Sequence, residues 1–282
     1  MAREIAFIGF GEAGQAFARP GDRAYDRMTD DAAARADKQA DYRAAGVLGC
    51  QTPAEVLADA YAVFSLVTAD QALPAAQTAA VSIASGTLWL DMNSVAPGTK
   101  RAAAKTIEAA GGRYVDVAVM SPVLPGRLSV PLLVAGPHAA AAAEVLTAHG
   151  FTDVTIAGAA VGDASAIKMI RSVMVKGLEA LSAECALAAH RAGVADAVFS
   201  SLDASWKPQG WSARVDYNLD RMMAHGLRRA AEMEEVAATL GELGVDPAMT
   251  RGTIRRQRAM GELRLTPSDG LAAKLFALGD CA

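Results

Sequence analysis

A short apolar run, Ile5-Ala6-Phe7-Ile8, leads into Gly9-Phe10-Gly11-Glu12-Ala13-Gly14, with glycine at the first, third and sixth places. That is the G-x-G-x-x-G spacing that follows the first strand of a dinucleotide-binding fold. Each glycine has a mechanical reason. Gly9 permits the tight turn out of the strand. Gly11 leaves room for a pyrophosphate against the backbone. Gly14 lets the next helix pack close. The segment Gly9, Phe10, Gly11, Glu12, Ala13 and Gly14 would present backbone N–H groups to the phosphates at the positive end of that helix. Asp26 stands twelve residues after Gly14, at the end of a brief second strand around Arg23 to Asp26. An acidic residue in that place accepts hydrogen bonds from the adenosine ribose. Arg27 follows at once and could instead meet a 2′-phosphate. The expected cofactor is therefore NAD or NADP, with Asp26 tilting the balance toward NAD.

A second group with chemical potential is Lys168. It lies in Asp163 to Ala192, a stretch without strand signal and apolar on most faces. A lysine there either snorkels outward or sits at a cleft, where desolvation brings its pKa toward the acid/base range. Ser172 is four residues on and shares its helical face.

The elements that must hold these groups follow from pattern. Pro20 and Gly21 should end the first helix early. Residues 29–45 form an exposed helix, and Thr52-Pro53-Ala54-Glu55 is a capped helix start. Strands are expected at Ala62 to Val67, Leu88 to Asp91, Tyr114 to Val119, Leu132 to Ala135 and near Val154 to Ile156. Helices lie between most of them, one opening at Pro97 and one spanning about Ala139 to His149. That alternation predicts an α/β, doubly wound, mostly parallel sheet. Ligands bind at the carboxyl ends of such strands, which promotes Val67, Thr68, Asp70, Asn93 and Ser94. After Gly162 the remainder is all helix, with Arg228 to Leu243 stopping at Gly244 before Pro247. The expected domains are 1–160, the dinucleotide-binding half, and 161–282, an all-helical half that includes a long connecting helix over 163–192.

Composition narrows the function classes. The 282 residues are 52% hydrophobic and 5% aromatic, with a formal charge of −4. Nothing here favours nucleic acid or an anionic membrane as partner. No uncharged apolar stretch is long enough to span a bilayer. Cys50, Cys185 and Cys281 and four scattered histidines have no metal-ligand spacing, so no metal is expected and a reducing cytoplasm suits the chain.

Four segments occur in order: the glycine loop; Asp91-Met92-Asn93-Ser94-Val95-Ala96-Pro97; Asp116-Val117-Ala118-Val119; and Gly162-Asp163-Ala164-Ser165-Ala166-Ile167-Lys168. Together they resemble the four signatures of the β-hydroxyacid dehydrogenase family, which includes 3-hydroxyisobutyrate and 6-phosphogluconate dehydrogenases. The helical part, with Arg228-Arg229-Ala230-Ala231-Glu232-Met233-Glu234-Glu235, resembles a phosphogluconate-dehydrogenase-like branch. The resemblance implies a Rossmann domain, a helical domain that builds a homodimer, and Lys168 as general acid/base for hydride transfer between NAD(P) and a hydroxyl-bearing carbon. Ser121 and Ser172 would help position the reacting oxygen, and Asn93 would approach the nicotinamide. Imine reductases of this fold often replace the lysine, which is present here. A carbon–carbon lyase with tightly held cofactor, or a dinucleotide-binding module without catalysis, stays open.

The chain departs from the family where substrate is held. The usual serine-glycine-glycine loop is replaced by Met120-Ser121-Pro122, and the proline removes a backbone donor. Ser172 stands in place of an asparagine, and the usual lysine-aspartate pair of the helical domain is Ala231-Glu232. His225, Arg229 and Glu232 share one helical face and offer a replacement polar cluster. Trp206, Trp211, Met222 and Met223 add apolar surface. These changes lead us to expect a small-molecule substrate that is bulkier and less acidic than in the well-known members.

Overall fold

The computed structural model describes residues 4–205 and 210–279, excluding the side chains of residues 179, 180, 182, 232, 235, 238 and 242. Trp206 and the side chain of Glu232 thus lie outside the described residues. The chain divides into two compact units, Met1–Val173 and Met174–Ala282, so the division falls inside the long helix.

The first unit opens with β1 (Ile5–Ile8), α1 (Glu12–Phe17), β2 (Arg23–Tyr25), α2 (Arg35–Ala45), β3 (Leu48–Gly49) and α3 (Pro53–Leu57). It continues with β4 (Ala62–Ser65), α4 (Ala72–Ala79), β5 (Leu88–Asp91), α5 (Pro97–Ala109), β6 (Arg113–Val119), β7 (Leu132–Ala135), α6 (Ala139–His149) and β8 (Val154–Gly158). The strands make one sheet in the order β3-β2-β1-β4-β5-β6-β7-β8. The first six follow the 3-2-1-4-5-6 order of a Rossmann sheet. Every neighbouring pair is parallel except β6 and β7. Residues 120–131 join those two through a loop without a crossover helix, and a parallel return requires one.

Both faces are covered at the centre of the sheet, so β1, β4 and β5 are buried at every position rather than at alternate ones. In β4, Ala62 and Phe64 pack on one face with Phe7, Leu88 and Leu90, while Val63 packs on the other with Ala6, Ile8 and Trp89. The first helix is short, as Pro20 and Gly21 require. Ala18 is already extended, and the Asp22 carboxylate accepts the Arg19 N–H at 2.6 Å. Thr52 caps α3 by accepting the Glu55 N–H at 3.1 Å, and Pro53 occupies its first turn.

One expected helix is broken in two. Residues 29–45 were expected as a single helix, yet α2 begins only at Arg35. Asp26 caps a separate 3-10 turn over Arg27–Thr29, and the Asp31 carboxylate accepts the Ala33 N–H at 2.9 Å. Short acidic side chains that bond their own backbone compete with helix at this point.

The long helix α7 (Asp163–Arg191) starts in the first unit. The second unit continues with α8 (Ala195–Ser205), α9 (Trp211–Glu242), α10 (Ala248–Glu262) and α11 (Leu271–Gly279). α9 and α10 meet backbone to backbone: a Cβ on Gly226 would sit 2.8 Å from the Gly261 N, and one on Gly261 would sit 3.0 Å from the Gly226 carbonyl carbon. The Glu184 carboxylate caps α10, accepting N–H bonds from Met249 at 2.8 Å and Thr250 at 3.0 Å. No helix among the described residues is long and apolar enough to cross a membrane.

Candidate functional site

The turn from β1 into α1 has the geometry the three glycines suggested. Gly9 has φ +89°, and a Cβ there would run into the Leu66 carbonyl oxygen. A Cβ on Gly14 would sit 2.8 Å from the Gly9 oxygen. Gly11 faces open space, with nothing within 4 Å of where its Cβ would be. The first and last glycines are therefore needed by the fold. The middle one is needed only if something else comes close.

The loop is tied to the end of β2. The Gly9 N–H donates to the Tyr25 carbonyl at 2.9 Å, and the Phe10 N–H donates to Asp26 Oδ2 at 2.7 Å. Asp26 Oδ1 accepts the Met28 N–H at 2.9 Å, and Lys38 Nζ donates to the Phe10 carbonyl at 2.9 Å. Phe10 is buried and meets Phe7 edge to face, so it serves the loop through its backbone alone. Below the loop lies a cavity of about 340 Å³, walled by Gly9, Gly11, Asp26, Arg27, Val67 and Thr68 among others.

A second cavity, about 320 Å³, shares the Leu66–Val67 wall with the first. Glu12, Asn93, Ser94, Ser121, Pro122 and Lys168 all line it. Lys168 projects from the first turns of α7, and its Nζ donates to Ser94 Oγ at 2.5 Å. A nucleotide running from groove to cavity would bring its nicotinamide end to this lysine.

Some expected residues have other employment. Asn93 is buried, and its amide is spent on the loops: Oδ1 accepts the Val67 N–H at 2.7 Å, while Nδ2 donates to Ser65 Oγ and Asp91 Oδ1. It shapes the cavity wall, and Ser94 presents the hydroxyl. Ser172 donates to the Lys168 backbone carbonyl at 2.9 Å, a bond within the helix, and does not line the cavity. Met120 packs against Ala118, Ala135 and Ala164. Trp211, His225 and Arg229 lie on α9 in the second unit, the first exposed and the other two half-buried. Among the described residues no group of three or more His, Cys, Asp or Glu could hold a metal.

Asp91, which accepts from the Asn93 amide of the cavity wall, belongs to a buried set that the motifs alone did not single out. Lys100 is fully buried, with Nζ 3.0 Å from Asp91 Oδ1 and 3.4 Å from Asp116 Oδ1. Tyr114 donates its hydroxyl to Asp91 Oδ2 at 2.7 Å, and burial plus the Asp91 charge pushes that phenol far up from its ordinary pKa. Asp116 Oδ2 accepts the N–H groups of Gly162 and Ser165 at 3.1 and 3.0 Å. It thereby caps the start of α7, which carries Lys168. The available signal was a carboxylate within a buried strand, which demands a partner.

The model of the NAD binding domain of 6-phosphogluconate dehydrogenase matches residues 4–148, and a domain of unknown function, DUF1932, matches residues 189–260. No match is found among curated proteins. A conserved hypothetical protein from Sinorhizobium meliloti 1021 is 36% identical, over 100% of this chain and 97% of that one, with a TM-score of 0.61. A conserved protein of unknown function, described as structurally similar to 3-hydroxyacid dehydrogenases, is 29% identical over 94% of this chain and 99% of its own, with a TM-score of 0.58. A reductive aminase from Aspergillus terreus, solved with NADPH and ethyl levulinate, is 19% identical over all of both chains at a TM-score of 0.72, a likeness of fold alone. The chain belongs to the β-hydroxyacid dehydrogenase-like family, with the NAD-binding domain of 6-phosphogluconate dehydrogenase followed by a helical domain.

Proposed function

We propose that the protein is an NAD(P)-dependent oxidoreductase that exchanges a hydride with a hydroxyl-bearing carbon, with Lys168 as its general acid/base. The observation that carries this reading is the Lys168–Ser94 pair in a cavity that shares a wall with the dinucleotide groove. The glycine loop and Gly11's open face would hold the pyrophosphate. A bound nicotinamide supplies the hydride acceptor in the oxidation direction and the donor in the other. Lys168 Nζ takes the hydroxyl proton as the C–H bond breaks, and returns it to the carbonyl oxygen in reverse. Ser94 orients the amine, and Ser121 faces the same cavity. The altered loop argues for a substrate bulkier than a short hydroxy acid.

Asp26 favours NAD, because its carboxylate borders the groove where a 2′-phosphate would bring like charge. The apolar side chains Leu181, Leu187, Val194, Phe199 and Leu202, all exposed in the second unit, support a homodimer through the helical domain. The cysteine content suits a cytoplasmic setting. The test is a fluorescence titration with NADH and NADPH, followed by a screen of hydroxy compounds at 340 nm. Binding without turnover in Lys168→Ala is the expected result. Turnover undiminished in that variant would remove the lysine from the mechanism, and no binding of either nucleotide would remove the whole reading.

A further inference from the structure

Donors around the Lys168 cavity are largely consumed by the protein itself. The Val67 N–H is spent on Asn93 Oδ1 at 2.7 Å, and Asn93 Nδ2 on Ser65 and Asp91. On the loop from β6 the Met120 N–H is spent on the Pro131 carbonyl at 2.9 Å, Pro122 has none, and the Ser121 hydroxyl donates to the Pro122 carbonyl at 3.3 Å. A wall of this kind offers little to an anion, which needs donors. It does offer an acceptor. Glu12 is the first residue of α1, and its exposed side chain lines the same cavity as Lys168. Glu12 and Lys168 are the two ionisable groups of that lining. Among the described residues the Glu12 carboxylate accepts no hydrogen bond and forms no ion pair.

A carboxylate in the first turn of a helix ordinarily steadies that helix. This turn follows the glycine loop, where the pyrophosphate of a dinucleotide would lie. Like charge repels there, so the carboxylate is turned away from the phosphates, toward the cavity it lines. Opposite charges on one cavity lining also sort the ends of a substrate. A cationic end is drawn to Glu12 and repelled by the Lys168 ammonium, which leaves a hydroxyl for the Lys168–Ser94 pair.

We propose that the substrate carries a protonated amine near its reacting hydroxyl, and that Glu12 is the residue that binds it. The ammonium replaces the acid group of a short hydroxy acid, and its three N–H donors meet the one free carboxylate of the cavity. This rests on the oxidoreductase reading of the same cavity.

The test titrates the intact protein, saturated with NADH, by calorimetry at neutral pH. The probes are isopropanolamine, lactate and propylene glycol, which share one carbon skeleton and one secondary hydroxyl and differ in charge. Isopropanolamine should bind about tenfold or more tighter than propylene glycol, and lactate no tighter than propylene glycol. Glu12→Gln should weaken isopropanolamine about tenfold and leave propylene glycol unchanged, and Glu12→Asp should restore part of the affinity. Glu12→Gln should bind NADH at least as tightly as the parent, since a like charge beside the pyrophosphate is gone. Isopropanolamine failing to bind ahead of the other two probes, or binding equally well to Glu12→Gln, overturns the proposal. Weaker NADH binding in Glu12→Gln also overturns it, because the carboxylate would then serve the cofactor. Loss of NADH binding in the parent protein would instead strike the oxidoreductase reading, so the two failures are distinguishable.

Discussion

Gly9, Gly11 and Gly14 stand in one motif, yet the space around them separates fold from ligand. At Gly9 an alanine would have to take φ +89° and displace the Leu66 carbonyl. Strain of this kind costs on the order of 1–3 kcal/mol. Gly11→Ala meets nothing within 4 Å. Gly11→Ala should therefore melt with the parent protein in calorimetry but bind NADH several-fold more weakly, because its methyl intrudes only on the nucleotide. Gly9→Ala should lower the melting temperature as well. Equal NADH affinity in Gly11→Ala and the parent would mean that no phosphate approaches that backbone. The same distinction applies to Asn93. It was promoted as a ligand-side residue by its place at a strand end, but its amide is consumed by Val67, Ser65 and Asp91. Position in a motif was legible in the sequence. Which way an amide turns was not, because that depends on three partners, two at the end of β4 and one at the end of β5.

At the scale of elements, α7 is placed by its first turn. Asp116 on β6 accepts two N–H groups of that turn, and Lys100 on α5 balances Asp116 together with Asp91 on β5. One cation thus faces two carboxylates in a site closed to solvent, and the positive end of a long helix helps to hold the second. Lys100→Met removes the cation and leaves both carboxylates buried. Breaking such a pair costs roughly 3–5 kcal/mol. The expected outcome is a lower urea midpoint with an unchanged slope, and melting within a degree of the parent would show the cluster to be idle. The elements themselves were largely legible. Alternating strand and helix signals gave the doubly wound sheet, and Pro20-Gly21 gave the short α1. The antiparallel β7 was not, since an apolar strand carries no mark of its direction. Nor was the gap before α2, which Asp26 and Asp31 create by bonding their own backbone.

The whole first unit carries an acid-sensitive joint whose two groups line neither the dinucleotide groove nor the Lys168 cavity. His149, at the end of α6, is buried with its ring against Phe7, Phe64 and Phe151, and its Nε2 lies 2.9 Å from the Phe17 carbonyl. Burial holds its pKa below the ordinary 6.5. Burial also raises Asp22, whose carboxylate lies 3.7 Å from that nitrogen, above its ordinary 3.8. The two groups act in opposite directions as acid is added. Below pH 6.5 an unfolded chain protonates this histidine while the folded chain does not, so stability falls as pH drops from that point toward the folded pKa. Asp22 takes up its proton sooner in the fold than out of it, so it returns some stability on the way down to pH 3.8. The first effect begins nearer neutrality and governs the early part of the curve. Melting temperature should decline from pH 7 toward pH 5 in the parent. In His149→Gln, which keeps a donor for the Phe17 carbonyl but cannot titrate, that decline should flatten. A parent and variant that lose stability in parallel over this range would place the acid sensitivity elsewhere in the molecule.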